Sequence, residues 1–213
     1  MTNAKHDMVF DALKSCPIVP VITIDNVDDA AKLATAFWDA GISTAEITLR
    51  TPNALACITA MKKSVPALCL GAGTILSADD LDHAIAAGSD FIVTPAVSST
   101  LLPALKSCTL PVFPGAATPS EALELYDQGF EHVKFFPAEA NGGVKALKSI
   151  GSPMPHIKFM PTGGINGDSA PSYLALPNVV AVGGSWMVDK AAIAEQNWEQ
   201  VEKTAAQARK AIS

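Results

Sequence analysis

Short apolar runs alternate with amphipathic segments along almost the whole chain, and this alternation constrains the fold most. Eight runs have the length, the β-branched content and the Gly or Pro boundaries that are typical of strands. The segments between them have helical patterns, three of which close at Gly41, Gly88 and Gly129, as helix C-termini do. The pattern predicts an α/β fold of parallel strands. The runs are 18–24, 44–50, 67–72, 90–94, 110–113, 132–136, 157–160 and 179–182.

The number and size of the repeating units favour a closed barrel. Residues 17–213 divide into eight strand–helix units of about 25 residues, near the lower size limit of such a barrel. We therefore expect a single (β/α)8 TIM barrel over residues 1–213, with residues 1–16 forming a short N-terminal helix. The seventh helix, near 169–174, has the weakest pattern. An open doubly wound sheet uses the same alternation and is the structural alternative.

Composition and charge exclude several kinds of partner. Hydrophobic residues make up 49% of the chain and charged residues 17%, which excludes a disordered chain. The net charge is −6 and no run of basic residues occurs, so we expect no nucleic-acid partner. The longest uncharged stretches are interrupted and too short for a membrane span. An anionic ligand must therefore be held by a local site.

The cysteines and histidines are scattered rather than clustered. The cysteines are separated by 41, 12 and 39 positions, and the four histidines show no paired spacing either. We therefore expect no bound metal, no disulfides and four buried free thiols in a cytoplasmic protein. The first 14 residues lack the apolar core of a signal peptide. The cysteines are Cys16, Cys57, Cys69 and Cys108.

Two predicted strands carry charges on a face that a barrel would bury. Alternation places Glu46 and Arg50 on one face of the second strand, and Lys134 on one face of the sixth. In an open antiparallel sheet these would be ordinary solvent-facing or edge residues. In a closed barrel they would point into the interior, where charges are costly unless they are paired or functional. A neutral buried lysine is a nucleophile toward carbonyls, and Glu46 could transfer protons.

Glycine pairs follow the last two predicted strands. Residues 162–164 read Thr-Gly-Gly, and residues 183–185 read Gly-Gly-Ser. TIM barrels often bind phosphate with these two loops, where glycine lets the backbone approach the anion. Tight turns alone explain one such pair. Two pairs in consecutive units favour a phosphate site.

Several motifs together resemble the 2-keto-3-deoxy-6-phosphogluconate (KDPG) and 4-hydroxy-2-oxoglutarate aldolases. They are Glu-Ile-Thr-Leu-Arg at 46–50, Gly-Ala-Gly-Thr at 71–74, Lys-Phe-Phe-Pro-Ala-Glu-Ala-Asn-Gly-Gly-Val-Lys at 134–145, Pro-Thr-Gly-Gly-Ile at 161–165 and Gly-Gly-Ser-Trp at 183–186. The resemblance runs from about Pro17 to the end of the chain. One departure is Asn-Gly-Asp-Ser at 166–169, where the family has a Ser/Thr-x-x-Asn helix start.

The resemblance implies a function and a set of site residues. Lys134 would form a Schiff base and Glu46 would be the acid/base. Substrate would be bound by Arg50 and Thr74 at the pyruvyl carboxylate, Pro95 and Phe136 along the pocket, and Gly163, Gly164, Gly184 and Ser185 at the phosphate. It further implies a cytoplasmic homotrimer of the Entner–Doudoroff pathway that acts on a small keto-acid phosphate, without metal or dissociable cofactor.

Two alternatives share the barrel. A sugar-phosphate epimerase or isomerase would use paired acids or a metal and form no lysine adduct. A non-catalytic sugar-phosphate binding protein would have an inert Lys134. Only an aldolase releases pyruvate without metal, so the site residues, and not the fold, must distinguish the three.

Overall fold

Nine strands and ten helices alternate along residues 4–212, the part of the chain that the computed structural model describes. The strands are β1 Ile18–Ile22, β2 Thr44–Thr48, β3 Cys69–Gly73, β4 Phe91–Val93, β5 Val112–Phe113, β6 Gly115–Ala116, β7 His132–Phe135, β8 Lys158–Pro161 and β9 Val182–Gly184. The helices are α1 Ala4–Ser15, α2 Val27–Asp39, α3 Ala54–Ser64, α4 Ala78–Ala86, α5 Leu102–Ser107, α6 Pro119–Asp127, α7 Gly143–Gly151, α8 Ala170–Leu174, α9 Lys190–Ala194 and α10 Trp198–Lys210. The helices expected at the N-terminus and near 169–174 are present; residues 1–3 lie outside the described part.

Every strand pairing is parallel, which confirms the predicted α/β class. Six strands form one sheet in the order β5-β4-β3-β2-β1-β9, and three form a second in the order β6-β7-β8. Two isolated parallel bridges, Phe159 to Val179 and Thr162 to Gly183, connect β8 with the segment that contains β9. The strands thus form two sheets rather than one continuous eight-stranded ladder.

Two of the predicted strands differ most from those observed. The fifth, predicted at 110–113, is shortened to β5, and a separate strand β6 follows Pro114, because proline has no N–H to donate to a ladder. The last was predicted at 179–182 but lies at Val182–Gly184, where Val182 pairs with Ile18 and Gly184 with Pro20. Pairing partners, and not apolar content alone, determine where that strand begins.

Side-chain caps define where the helices begin, and glycines define where three of them end. Ser77 and Asp80 form a reciprocal capping box at α4, and Thr118 and Glu121 form another at α6. The chain leaves α2, α4 and α6 through residues with positive φ, at Gly41, Gly88 and Gly129. The predicted C-terminal caps are therefore confirmed.

An apolar cluster lies between the strands and the N-terminal helix. From the strands it contains Val19, Cys69, Phe91, Phe113 and Met160, each at most 1% exposed. Val9 and Leu13 of α1 belong to the same cluster. The N-terminal helix therefore packs against the strands through this cluster.

The cysteines are free, as expected, but one is less buried than predicted. Cys16, Cys57 and Cys69 are buried, whereas Cys108 is half-buried at the end of α5. Burial raises the pKa of the Cys57 thiol to about 11 and that of Cys69 to about 12, so both are protonated at neutral pH. Within residues 4–212 no helix is long and apolar enough to cross a membrane.

His132 makes the stability of the fold sensitive to acid. Its ring lies 4.4 Å from the Phe10 ring and 6.1 Å from the Phe113 ring, between centroids. Burial lowers the pKa of His132 below its ordinary value of about 6.5. In the unfolded chain the histidine has its ordinary pKa, so it binds a proton at a higher pH than in the folded chain. The free energy of unfolding therefore falls as the pH falls through about 6.5.

We expect His132→Phe to reduce this acid sensitivity, because phenylalanine keeps the ring contacts without titrating. Urea denaturation at pH 7 and pH 5 measures the effect. Wild type should lose more stability than the variant between the two pH values. Equal losses would show that His132 does not contribute.

Candidate active site

The face of β2 that was predicted to be polar and internal is fully buried. Thr44, Glu46 and Thr48 each have 0% exposure. The Thr44 hydroxyl donates to the Ile18 carbonyl and the Thr48 hydroxyl to the Ile22 carbonyl, both at 2.9 Å. These bonds to β1 satisfy the threonines. Neither oxygen of Glu46 has a hydrogen-bond partner within residues 4–212.

The amine of Lys134 lies next to this carboxylate. Lys134 Nζ is 3.6 Å from Glu46 Oε1, and the lysine side chain is only 4% exposed. The strands that carry them, β7 and β2, belong to different sheets, so the two side chains meet across the interior. Lys134 Nζ also lies 5.1 Å from the centre of the Phe136 ring. A buried amine beside a carboxylate with no other partner can exchange a proton with it.

Gly73 makes room for the carboxylate. It ends β3, next to β2, and a Cβ atom at this position would overlap the Glu46 side chain. Glycine is therefore needed here because of a close approach and not because of a turn. The packing holds Glu46 between β3 and Lys134.

Arg50 is not buried, contrary to the prediction from alternation. The Arg50 N–H donates to the Thr48 carbonyl at 2.8 Å, so the chain turns after β2 and the side chain is exposed. Arg50 Nε donates to Thr74 Oγ1 at 3.0 Å. Thr74 has a φ of +63°, a strained conformation for a β-branched residue that is characteristic of functional sites. The pair places a guanidinium and a hydroxyl at the rim.

A cavity of about 330 Å³ lies at the C-terminal ends of the strands. It brings together seven residues predicted for the site: Arg50, Lys134, Phe136, Gly163, Gly164, Gly184 and Ser185. Pro95 instead lines a neighbouring cavity of about 230 Å³, and Phe136 lines both. Phe136 therefore borders both the cavity of Lys134 and the cavity of Pro95.

The loop after β8 contains two glycines with positive φ, at +105° for Gly163 and +80° for Gly164. The carbonyls of Thr162 and Gly163 accept N–H groups from Ala138 and Glu139, at 2.8 and 3.0 Å. These bonds tie the loop to the segment after β7. A Cβ on Gly164 would lie 2.7 Å from that of Glu139, so the approach requires glycine.

A family model for KDPG and KHG aldolases matches residues 9–204. The chain belongs to this family. It is similar to the 2-dehydro-3-deoxy-phosphogluconate aldolase of Pseudoalteromonas atlantica, with 43% identity over 93% of this chain and 92% of the relative. It is also similar to the KHG/KDPG aldolase of Escherichia coli K12, with 40% identity over 92% of each chain.

A solved aldolase structure agrees with this assignment. The KDPG aldolase of Legionella pneumophila superposes with a TM-score of 0.89 at 38% identity, over 94% of this chain and 97% of its own. In that crystal structure pyruvate is captured as a covalent carbinolamine intermediate.

The chain departs from the expected helix start after β8, and the substitute sequence closes a turn just before α8 without a side-chain cap at Ser169. Asn166 Oδ1 accepts the N–H groups of Asp168 and Ser169, both at 3.0 Å. Ser169 Oγ accepts the N–H of Asn166 at 3.1 Å. The Asn166 side chain thus bonds to the backbone of Ser169, and the Ser169 side chain to the backbone of Asn166. Asn comes first here, whereas Ser or Thr comes first in the Ser/Thr-x-x-Asn motif.

Five residues that line the cavity were not predicted as site residues: Val21, Thr23, Thr162, Ile165 and Lys190. The buried Thr162 hydroxyl lines it and has no hydrogen-bond partner within the described chain. Its position directly after β8 was a signal that could have identified it. Lys190, the first residue of α9, also lines the cavity, five residues beyond Ser185. No pattern in the sequence indicates that α9 returns to the site.

Proposed function

We propose that this chain is a class I aldolase that cleaves KDPG to pyruvate and glyceraldehyde 3-phosphate through a Schiff base on Lys134. It also cleaves 4-hydroxy-2-oxoglutarate to pyruvate and glyoxylate. The observation that carries this proposal is the buried Lys134 amine 3.6 Å from Glu46. Membership of the aldolase family and the pyruvate adduct in the Legionella enzyme support it.

The reaction begins at the C2 ketone of the keto acid. Lys134 transfers a proton to Glu46 and attacks C2 as the neutral amine, which gives a carbinolamine. Glu46 returns the proton to the C2 hydroxyl, and water leaves as the protonated imine forms. The positive nitrogen now accepts electrons from the adjacent carbons.

Carbon–carbon cleavage follows from this electron sink. Glu46, directly or through one water, removes the proton of the C4 hydroxyl. The C3–C4 bond then breaks: its electron pair forms the enamine, and C4 leaves as the aldehyde. Protonation of C3 and hydrolysis of the imine release pyruvate and restore the Lys134 amine. These steps need no metal and no dissociable cofactor.

The remaining predicted residues bind the substrate. Arg50 and Thr74 hold the pyruvyl carboxylate, since a guanidinium and a hydroxyl both donate to carboxylate oxygens. Phe136 covers the reacting carbons, and Pro95 lines the neighbouring cavity that Phe136 also borders. The loops that carry Gly163, Gly164, Gly184 and Ser185 receive the phosphate.

The proposed architecture is a single domain over residues 1–213 whose strands close into a (β/α)8 barrel. Three observations support closure. β5 and β6 are adjacent parts of one segment, interrupted only at Pro114. Bridges connect β8 with the segment of β9. Glu46 and Lys134 meet from strands of different sheets. The resemblance further implies a homotrimer in the cytoplasm; sedimentation velocity measures the number of subunits.

Release of pyruvate tests the function. Purified protein is mixed with KDPG or 4-hydroxy-2-oxoglutarate in the presence of a chelator, and pyruvate is followed by coupled reduction to lactate. We expect pyruvate from both substrates. Binding of KDPG without pyruvate release would favour the non-catalytic alternative. Conversion of a sugar phosphate to its isomer or epimer, without pyruvate, would favour the other alternative.

We expect Gly73→Ala to reduce turnover about 10²-fold, because the added methyl group displaces the Glu46 carboxylate, and small displacements of a reacting group have effects of this size. Steady-state kinetics measures the loss. If it acts through Glu46, Gly73→Ala should add little to Glu46→Gln in a double variant. If the two single-variant losses of turnover multiply in the double variant, Gly73→Ala does not act through Glu46.

A further inference from the structure

The active-site cavity concentrates positive charge in a chain whose net charge is −6. Its lining includes Arg50, Lys134 and Lys190. Among the described residues, none that lines it is acidic. The mechanism uses Lys134 as the nucleophile and Arg50 for the carboxylate. Lys190 is therefore a cation at the site to which the proposed reaction gives no role.

The local structure leaves the charge of Lys190 available to a ligand. The adjacent acidic residue, Asp189, is engaged elsewhere: one carboxylate oxygen accepts the Ala192 N–H at 3.0 Å and the other accepts the Thr204 hydroxyl at 3.3 Å. Lys190 itself is exposed and forms no hydrogen bond or ion pair with the described residues.

The path of the chain after β9 relates Lys190 to one end of the substrate. The Val188 N–H donates to the Ser185 carbonyl at 3.0 Å, so the chain turns directly after Ser185 and begins α9 at Lys190. Lys190 shares the cavity lining with Gly164 and Ser185 of the proposed phosphate loops. The other end is held covalently by Lys134, with Arg50 at the C1 carboxylate. KDPG extends to a phosphate on C6, whereas 4-hydroxy-2-oxoglutarate ends at a carboxylate on C5. A cation beyond Ser185 therefore meets a phosphate dianion on the longer substrate only.

The geometry points to Lys190 as a specificity-determining residue that binds the C6 phosphate and favours KDPG over 4-hydroxy-2-oxoglutarate. This inference rests on the proposed aldolase function. The C6 phosphate is remote from the reacting carbons, so Lys190 binds it equally well in the ground state and in the transition state. It therefore acts on KM and not on kcat.

Lys190→Gln tests the role, because glutamine removes the charge and retains most of the length. We expect kcat/KM for KDPG to fall about tenfold, through KM, as for loss of a charge-assisted hydrogen bond. The value for 4-hydroxy-2-oxoglutarate should stay within about twofold, since that substrate lacks the phosphate. Lys190→Arg should retain most of the preference. Lys203→Gln, an exposed lysine on α10, is the matched control and should change neither substrate.

A second measurement does not depend on KDPG turnover. Inorganic phosphate should inhibit cleavage of 4-hydroxy-2-oxoglutarate competitively, and Lys190→Gln should raise its inhibition constant. If the wild type is active but Lys190→Gln lowers kcat/KM equally for both substrates, or does not lower it for KDPG, the inference is overturned while the aldolase function stands. A wild type that releases no pyruvate from either substrate would instead refute the function itself.

Discussion

Lys134→Ala is expected to lower pyruvate release by more than about 10⁴-fold, because loss of a covalent nucleophile removes the whole chemical route. Borohydride added with pyruvate should attach one reduced pyruvate per wild-type chain, and peptide mass spectrometry should place it on Lys134. The variant should gain no adduct.

Removal of Lys134 also leaves Glu46 without its partner, so the fold must be checked separately. Lys134→Met fills the same space with an apolar chain of similar length. Both variants should retain the wild-type circular dichroism spectrum. Lys145→Ala, on the exposed face of α7, is the control and should keep full activity. Trapping on another lysine, or turnover by a folded Met variant, would remove Lys134 from the mechanism.

Glu46→Gln is expected to reduce turnover by about 10²- to 10⁴-fold, the range for loss of a general acid–base group. The amide is nearly the same size as the carboxylate but cannot accept the proton of the lysine or of the C4 hydroxyl. Rapid-quench trapping with borohydride should show slower imine formation with pyruvate. This separates a defect in chemistry from one in binding.

The matched control is Glu202→Gln on the exposed face of α10, which should leave both rates unchanged. A Glu46→Gln enzyme that turns over at the wild-type rate would show that another group moves the protons. One that forms the imine normally but cleaves slowly would limit Glu46 to the C4 hydroxyl.

The strand–helix alternation and the two-residue period of β2 and β7 were sufficient to predict the parallel α/β class and to place Glu46 and Lys134 on internal faces. Both predictions depend on local pattern, which sequence expresses directly. The prediction for Arg50 extended that pattern beyond Thr48, where the strand ends. A turn formed by one backbone hydrogen bond places the Arg50 side chain at the exposed rim of the cavity, and alternation contains no sign of this turn.

Other features depend on partners distant in sequence. The position of β9 follows from its pairing with β1, and the split between β5 and β6 follows from how Pro114 meets the neighbouring strands. The role inferred for Lys190 depends on the path from β9 into α9. Such contacts are determined by the tertiary arrangement, so local sequence cannot locate them.

The close approaches of glycine around the cavity restrict how its substrate range can be changed. A methyl group on Gly73 would meet Glu46, on Gly164 it would meet Glu139, and on Gly184 it would meet Trp186. The wall at Gly164 and Gly184, and the support of Glu46 at Gly73, thus admit no new side chain. Variant libraries for other aldehydes should therefore randomise the rim positions Ser185 and Lys190, where diversity is compatible with folding.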